Sequence, residues 1–268
     1  LRRWISYSLI GAAAVALAIG VFFFLKSDGG WERGIYFRKT YGYIGFLNDE
    51  AYLDLFYYNI KEDEKDFENK DMSLHLVTGA GEEVACDVKT VETISRNRNY
   101  SEKKLVLAIN LDDNSIVSFQ KLKAIHNGVS YVYDIGDIVI ENIKTENLAR
   151  KLMRLQYGMF QEGKYELTIT NISDDAFVIA EVKADCQVFE ANNEKDHAIE
   201  IGESKTYVFR LKENLSKSDI VYIRPVIVAR HLNGETSYYD IVSIIVDSFQ
   251  QLSYQEVHEF TKDGNTND

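Results

Sequence analysis

Proline occurs once in these 268 residues, and cysteine twice. Two cysteines are too few for a small disulfide-stapled scaffold. Cys86 and Cys186 are also too far apart for a Cys-x-x-Cys redox centre. With 16 glycines and that single proline, the chain cannot be collagen-like or of low complexity. Positive charge is short as well. There are 30 Lys and Arg against 42 Asp and Glu, a formal net charge of -12, which weighs against non-specific binding to nucleic acid. Aromatic residues, by contrast, are plentiful, with 17 Tyr and 14 Phe in a chain long enough for two ordinary domains.

Only one apolar run is long. From Ile5 to Leu25 no side chain is charged, and as a helix this stretch spans about 30 Å, the thickness of a bilayer's hydrocarbon core. No Ala-x-Ala cleavage site follows it. Arg2 and Arg3 precede the run, whereas Lys26 is offset by Asp28. The positive-inside tendency therefore puts the N-terminus in the cytoplasm and the body outside. Ala12, Ala16 and Gly20, spaced by four, form a small-residue stripe suited to close contact with a second membrane helix. The expectation is a single-pass protein of the cell membrane with an extracytoplasmic body.

After Gly29–Gly30 the segment WERGIYFRKTYGYIGF mixes aromatic residues with glycines and bases. Trp31, Tyr36, Phe37, Tyr41 and Tyr43 are the candidates for membrane-proximal contact with headgroups or a partner. Tyr and Trp suit interfaces because they join apolar area to a polar handle. Ordinary core packing in a first strand is the competing reading. Short runs of alternating apolar residues follow, at 51–58, 72–77, 83–94, 103–111, 115–125 and 131–140, each bounded by polar turns as half-buried antiparallel strands are. At 145–158, Leu148, Leu152 and Leu155 form a helical stripe ending at Gly158. A second strand group begins at Lys164 and ends in a pair joined through Asn233–Gly234, a strong hairpin signal. Pro225 interrupts the first strand of that pair and places it at an edge, a start or a bulge.

This second group resembles immunoglobulin-like and fibronectin-like β-sandwiches over about 100 residues, without the Cys–Trp–Cys signature. The expected fold class is mainly β: a transmembrane helix followed by two sandwich-like extracytoplasmic domains. The divisions are 1–4 cytoplasmic, 5–25 transmembrane, 26–144 first β domain, 145–161 linker helix, 162–252 second β domain and 253–268 polar tail.

Chemistry is hard to find. His75, His126, His197, His231 and His258 are scattered and make no zinc motif. No Gly-x-Ser-x-Gly elbow or phosphate loop is present. The acidic run from Glu62 to Glu68 is diluted by lysines and lacks the calcium-loop spacing. Cys86 and Cys186 are read either as a disulfide joining the two domains or as two buried thiols. The sequence calls for no catalytic residue, cofactor or metal. It points to a non-catalytic, membrane-anchored accessory subunit whose partner is another membrane protein. The alternative is a ligand- or cell-wall-binding surface module and, behind that, an extracytoplasmic enzyme.

Overall fold

The computed structural model describes residues 31–48, 50–63, 66–68, 71–147, 153–161, 164–184, 186, 189–191, 197–211, 215–240, 244–247 and 252–263. The alternating runs of the first half become β1 (Gly34–Phe37), β2 (Thr40–Leu47), β3 (Ala51–Ile60), β4 (Met72–Thr78), β5 (Glu83–Arg96), β6 (Tyr100–Ile109), β7 (Ser115–His126) and β8 (Val129–Ile143). They hydrogen-bond in the order β1-β3-β6-β5-β4-β7-β8-β2. Because β1 and β2 are consecutive and separated only by Arg38 and Lys39, this order brings the sheet back to its starting stretch. Phe37 pairs with Tyr57 of β3, and three residues later Thr40 pairs with Gly136 of β8. The sheet is thus curled like a barrel wall around Leu53, Leu55, Leu105, Leu107, Phe119, Leu122 and Ile138, all buried. Burying each such side chain contributes about 1.5–3 kcal/mol.

The second half holds β9 (Met153–Gln161), β10 (Lys164–Asn171), β11 (Phe177–Lys183), β12 (Phe189–Ala191), β13 (His197–Ile199), β14 (Ser204–Leu211), β15 (Ile220–Arg224), β16 (Val226–His231), β17 (Thr236–Asp240) and β18 (Ile244–Asp247). Two four-stranded sheets, β12-β14-β10-β9 and β13-β11-β16-β17, share one core that includes Leu167, Ile169 and Phe209 from the first and Phe177, Ile179 and Ile227 from the second. Strand β15 leaves this pair and joins the curled sheet, lying parallel to β2, with β18 beyond it. Pro225 sits between β15 and β16 and marks where the chain changes sheets, since a proline cannot donate to either ladder.

Strand β2 is therefore flanked by parallel neighbours on both sides and buried on both faces, as parallel strands are. Ile44 and Phe46 belong to the barrel core, whereas Tyr43 belongs to the core of the second pair of sheets. Such close packing demands glycine. A Cβ on Gly42 would lie 1.8 Å from the Tyr222 carbonyl oxygen. Gly136 adopts φ +99° with its Cα against the Thr40 backbone.

Several expectations are corrected here. The transmembrane segment 5–25, with Ala12, Ala16 and Gly20, lies outside the described residues. Among the described residues no helix is long and apolar enough to cross a membrane. The single-pass cell-membrane topology, the extracytoplasmic placement that followed from it and the membrane-protein partner are withdrawn with that span. The first unit is a curled sheet, not a sandwich. Where a linker helix was expected at 145–161, Met153–Gln161 is strand β9, with Leu155 opposite Ile169 and Tyr157 opposite Leu167 of β10. A ready ladder outweighed the helical stripe there. The tail is not merely polar: α1 (Tyr254–Asp263) packs Val257 and Phe260 against Trp31, Tyr58 and Tyr100. The chain thus returns twice to the first unit after residue 162, through β15 and through α1.

Candidate functional site

Of the five proposed contact aromatics, Trp31, Tyr36, Phe37 and Tyr43 are buried. They are divided among three separate clusters. Trp31 and Tyr36 lie under α1, Phe37 lies inside the barrel, and Tyr43 faces the second unit. Only Tyr41 is half-open to solvent. These rings hold the fold and do not form one surface. Cys86 and Cys186 are both buried thiols, in different clusters. Among the described residues no histidine cluster forms either: His126 contacts Asn127, His231 contacts Ser237 and the His258 ring lies 4.8 Å from that of Trp31.

Two openings stand out. The smaller, about 480 Å³, runs between α1 and the start of β2, lined by Lys39, Tyr41, Asp219, Glu256 and Phe260 among others. Its charges are matched within the chain, Lys39 with Asp134 at 2.8 Å and Lys217 with Glu256 at 3.4 Å. Burial raises the Asp219 carboxyl above its ordinary range.

The larger opening, about 730 Å³, lies in the barrel wall between β4 and β5. Pairing between these strands runs only from Leu74 opposite Cys86 to Val77 opposite Glu83. Strand β5 continues to Arg96, held from Asp87 onward by β6 alone among the described residues. Its burial reflects this, with Asp87, Val88, Lys89 and Thr90 all exposed. The floor is apolar: Phe67, Leu74 and Cys86 are buried there, with Met72 and Val91 packed beside them.

The loop bounding the cleft is firmly held. The Phe67 ring sits 5.5 Å from Phe37, 5.3 Å from Tyr57 and 6.0 Å from Tyr133. Lys103, on the barrel face next to Thr93, donates to Asp66 and to Glu68, the latter at 2.7 Å. Asp66 also accepts from the Tyr57 hydroxyl and from Asn59 at 2.8 Å. Asp66 and Glu68 of the acidic run thus form a structural clamp, and their lysine partner is distant in sequence. At the rim Lys89 is engaged with Glu50 at 3.0 Å, and farther along the sheet Lys104 pairs with Glu92 at 3.0 Å and Lys123 with Glu83 at 2.6 Å. Asp87 has no ion-pair partner among the described residues. Burial, helped by the Asp87 charge, pushes the Cys86 thiol up to about 12.

This opening is not built for catalysis. Leu74 lies opposite Cys86 and Ala85 opposite His75, so thiol and imidazole project from opposite faces of the ladder. A thiol titrating near 12 is not a nucleophile at neutral pH. Among the described residues no group of three or more His, Cys, Asp and Glu could hold a metal ion. Two asparagines hold the fold: Asn171 is fully buried and donates to the Asp175 and Ile199 carbonyls, and Asn99 donates to the Tyr254 hydroxyl.

No family model matches the chain, and no curated protein matches it. Among solved structures, a Porphyromonas gingivalis protein of unknown function is similar at 12% identity with a TM-score of 0.27, covering 77% of this chain and 98% of that one. A chaperone–tip adhesion subunit pre-assembly complex from the Csu pili of Acinetobacter baumannii gives 11% identity and a TM-score of 0.20, over 78% and 98%. The C-terminal domain of the Streptococcus agalactiae polypeptide BspA gives 10% and 0.19, over 76% and 95%. Likenesses this loose carry no argument about function. The membrane-anchored accessory subunit expected from sequence is set aside: no membrane-crossing helix is found among the described residues, and four of its five contact aromatics are core.

Proposed function

We propose that this chain is a non-catalytic binding module that takes its ligand in the cleft between β4 and β5. The observation that supports this reading is the interruption of an otherwise continuous barrel wall. One strand runs on past its neighbour and leaves an apolar floor open beside it. Ligand sites in β proteins are commonly concave, with an apolar lining and a few polar groups to orient the guest. Glu68, Asp87 and Lys89 supply such groups around Phe67, Leu74 and Val91.

The test is a binding screen of the full chain against peptide and glycan panels, repeated with Val91→Glu, which places a charge on the cleft floor. A ligand of either kind that loses at least about tenfold in affinity with the variant supports the reading. Ligands that bind the two proteins equally would show that the cleft is not the site.

A further inference from the structure

We infer that the cleft's partner is a short extended polypeptide that adds to the open edge of β5. This rests on the binding-module reading above and narrows it to one class of ligand. A strand edge offers alternating backbone N–H and C=O groups, and the ligand that matches such a row is another extended backbone. From Asp87 to Arg96 the ladder of β5 reaches β6 on one side only among the described residues. On the other side, from Asp87 to Val91, lies the 730 Å³ opening. The gap is placed where a neighbouring strand, spaced about 4.8 Å away, would lie.

The irregularities of β5 set the size of the guest. Register shifts occur between Val88 and Thr90 and between Thr93 and Ser95, whereas Thr90 to Thr93 pair without interruption with Val106 to Lys103. Bulges twist an edge away from long, indiscriminate pairing. Between them a regular stretch remains, suited to a guest of about four to six residues, or about 13–20 Å of extended chain. Alternate side chains of such a guest would face Val91, Phe67 and Leu74 and are therefore apolar. Asp87 is the rim charge without an ion pair among the described residues, so the guest carries Lys or Arg beside it. Saccharides lack the alternating donors and acceptors that an edge requires, which is why the observations favour a peptide.

The experiment pans a displayed library of random dodecapeptides on the full chain and measures affinities of the selected, resynthesised peptides by fluorescence anisotropy. Peptides with alternating apolar residues and a flanking base are expected. N-methylation of alternate backbone amides in one parity should weaken binding by at least about tenfold, and in the other parity by less than about threefold. Amide exchange at 90–93 should slow when the peptide is bound. Asp87→Lys, an exposed and structurally mild change, should weaken the base-bearing peptide about tenfold, and a Glu-bearing version should restore it. Equal tolerance of N-methylation in both parities would sink strand addition. A glycan whose binding depends on Val91, with no peptide selected, would overturn the peptide and leave the binding module standing. No cleft-dependent ligand of either kind would overturn both.

Discussion

Arg38 lies at the break between β1 and β2, where its guanidinium is almost wholly enclosed. It meets Glu102 at 3.3 Å, with side-chain exposures of 3% and 6%, and donates through Nε to the Ser218 carbonyl at 2.9 Å. Glu102 also accepts from Tyr58 and Ser95. A buried pair of this kind adds little over an apolar pair, but removing one member strands the other. Arg38→Ala is therefore expected to cost about 3–5 kcal/mol, measured by denaturant unfolding, and Glu102→Gln distinctly less. The buried phenols point to a pH effect. Tyr57, Tyr58 and Tyr133 are raised above their ordinary value, chiefly by burial. Lys103 is also raised: burial lowers it, but its bonds to Asp66 and Glu68 outweigh that. All four have folded values above unfolded ones, so their contribution is complete below about pH 10 and is lost as pH rises beyond it. Denaturation midpoints should hold steady from pH 7 to 9 and fall above pH 10, with ionisation of these three buried tyrosines appearing only as the chain unfolds. A midpoint unchanged at pH 11 would contradict this.

Helix α1 shows how an element can be written plainly and still be overlooked. Ser253 accepts from the Glu256 amide at 3.3 Å, and Glu256 reaches back to the Ser253 amide at 2.8 Å, a reciprocal capping box. That hydrogen bonding lowers the Glu256 carboxyl. Ser253→Ala should destabilise the helix by about 1 kcal/mol, seen as faster amide exchange over 254–263 with the barrel amides unchanged. The Ser-x-x-Glu signal, with Val257 and Phe260 after it, was present in the sequence, but the surrounding polar residues concealed it. Strand β10 was legible because its period of two survives half-burial. The stretch at 153–161 was not, because the spacing of Leu148, Leu152 and Leu155 also fits a helix, and only the pairing of Leu155 with Ile169 of β10 decides for a strand. The cleft was illegible for a different reason. Nothing local in EVACDVKTVETISR tells where its neighbour stops, since the antiparallel pairing ends at Leu74 opposite Cys86, the residues of β4 before Leu74 having already parted from β5.

At the scale of the whole molecule, the two halves are not separable beads. Leu47 and Ile143 of the curled sheet pack with Val226, the first residue of β16, and Lys183 meets Glu141 across the same junction. A chain ended at Asn147 would lose β15 from beside β2, the Ser218 carbonyl from Arg38 and α1 from Trp31. Such a fragment should fail to give a cooperative unfolding transition, and a sharp one would show that the curled sheet is self-sufficient. The sequence suggested a change of strand group within 144–162, but it could not reveal that later segments return. Pro225 was the one visible trace of that return.

The insertion of β2 between two parallel neighbours also has a temporal consequence. Its partner β15 follows late, and Arg38 and Ser218 are 180 residues apart. On the ribosome, at about 5–20 residues per second, β2 must wait roughly 10–35 s for that neighbour to emerge. During this interval one side of a glycine-rich, aromatic strand stays unclothed. Nascent chains are therefore most at risk of clumping after the first half has been made and before residue 224 leaves the exit tunnel.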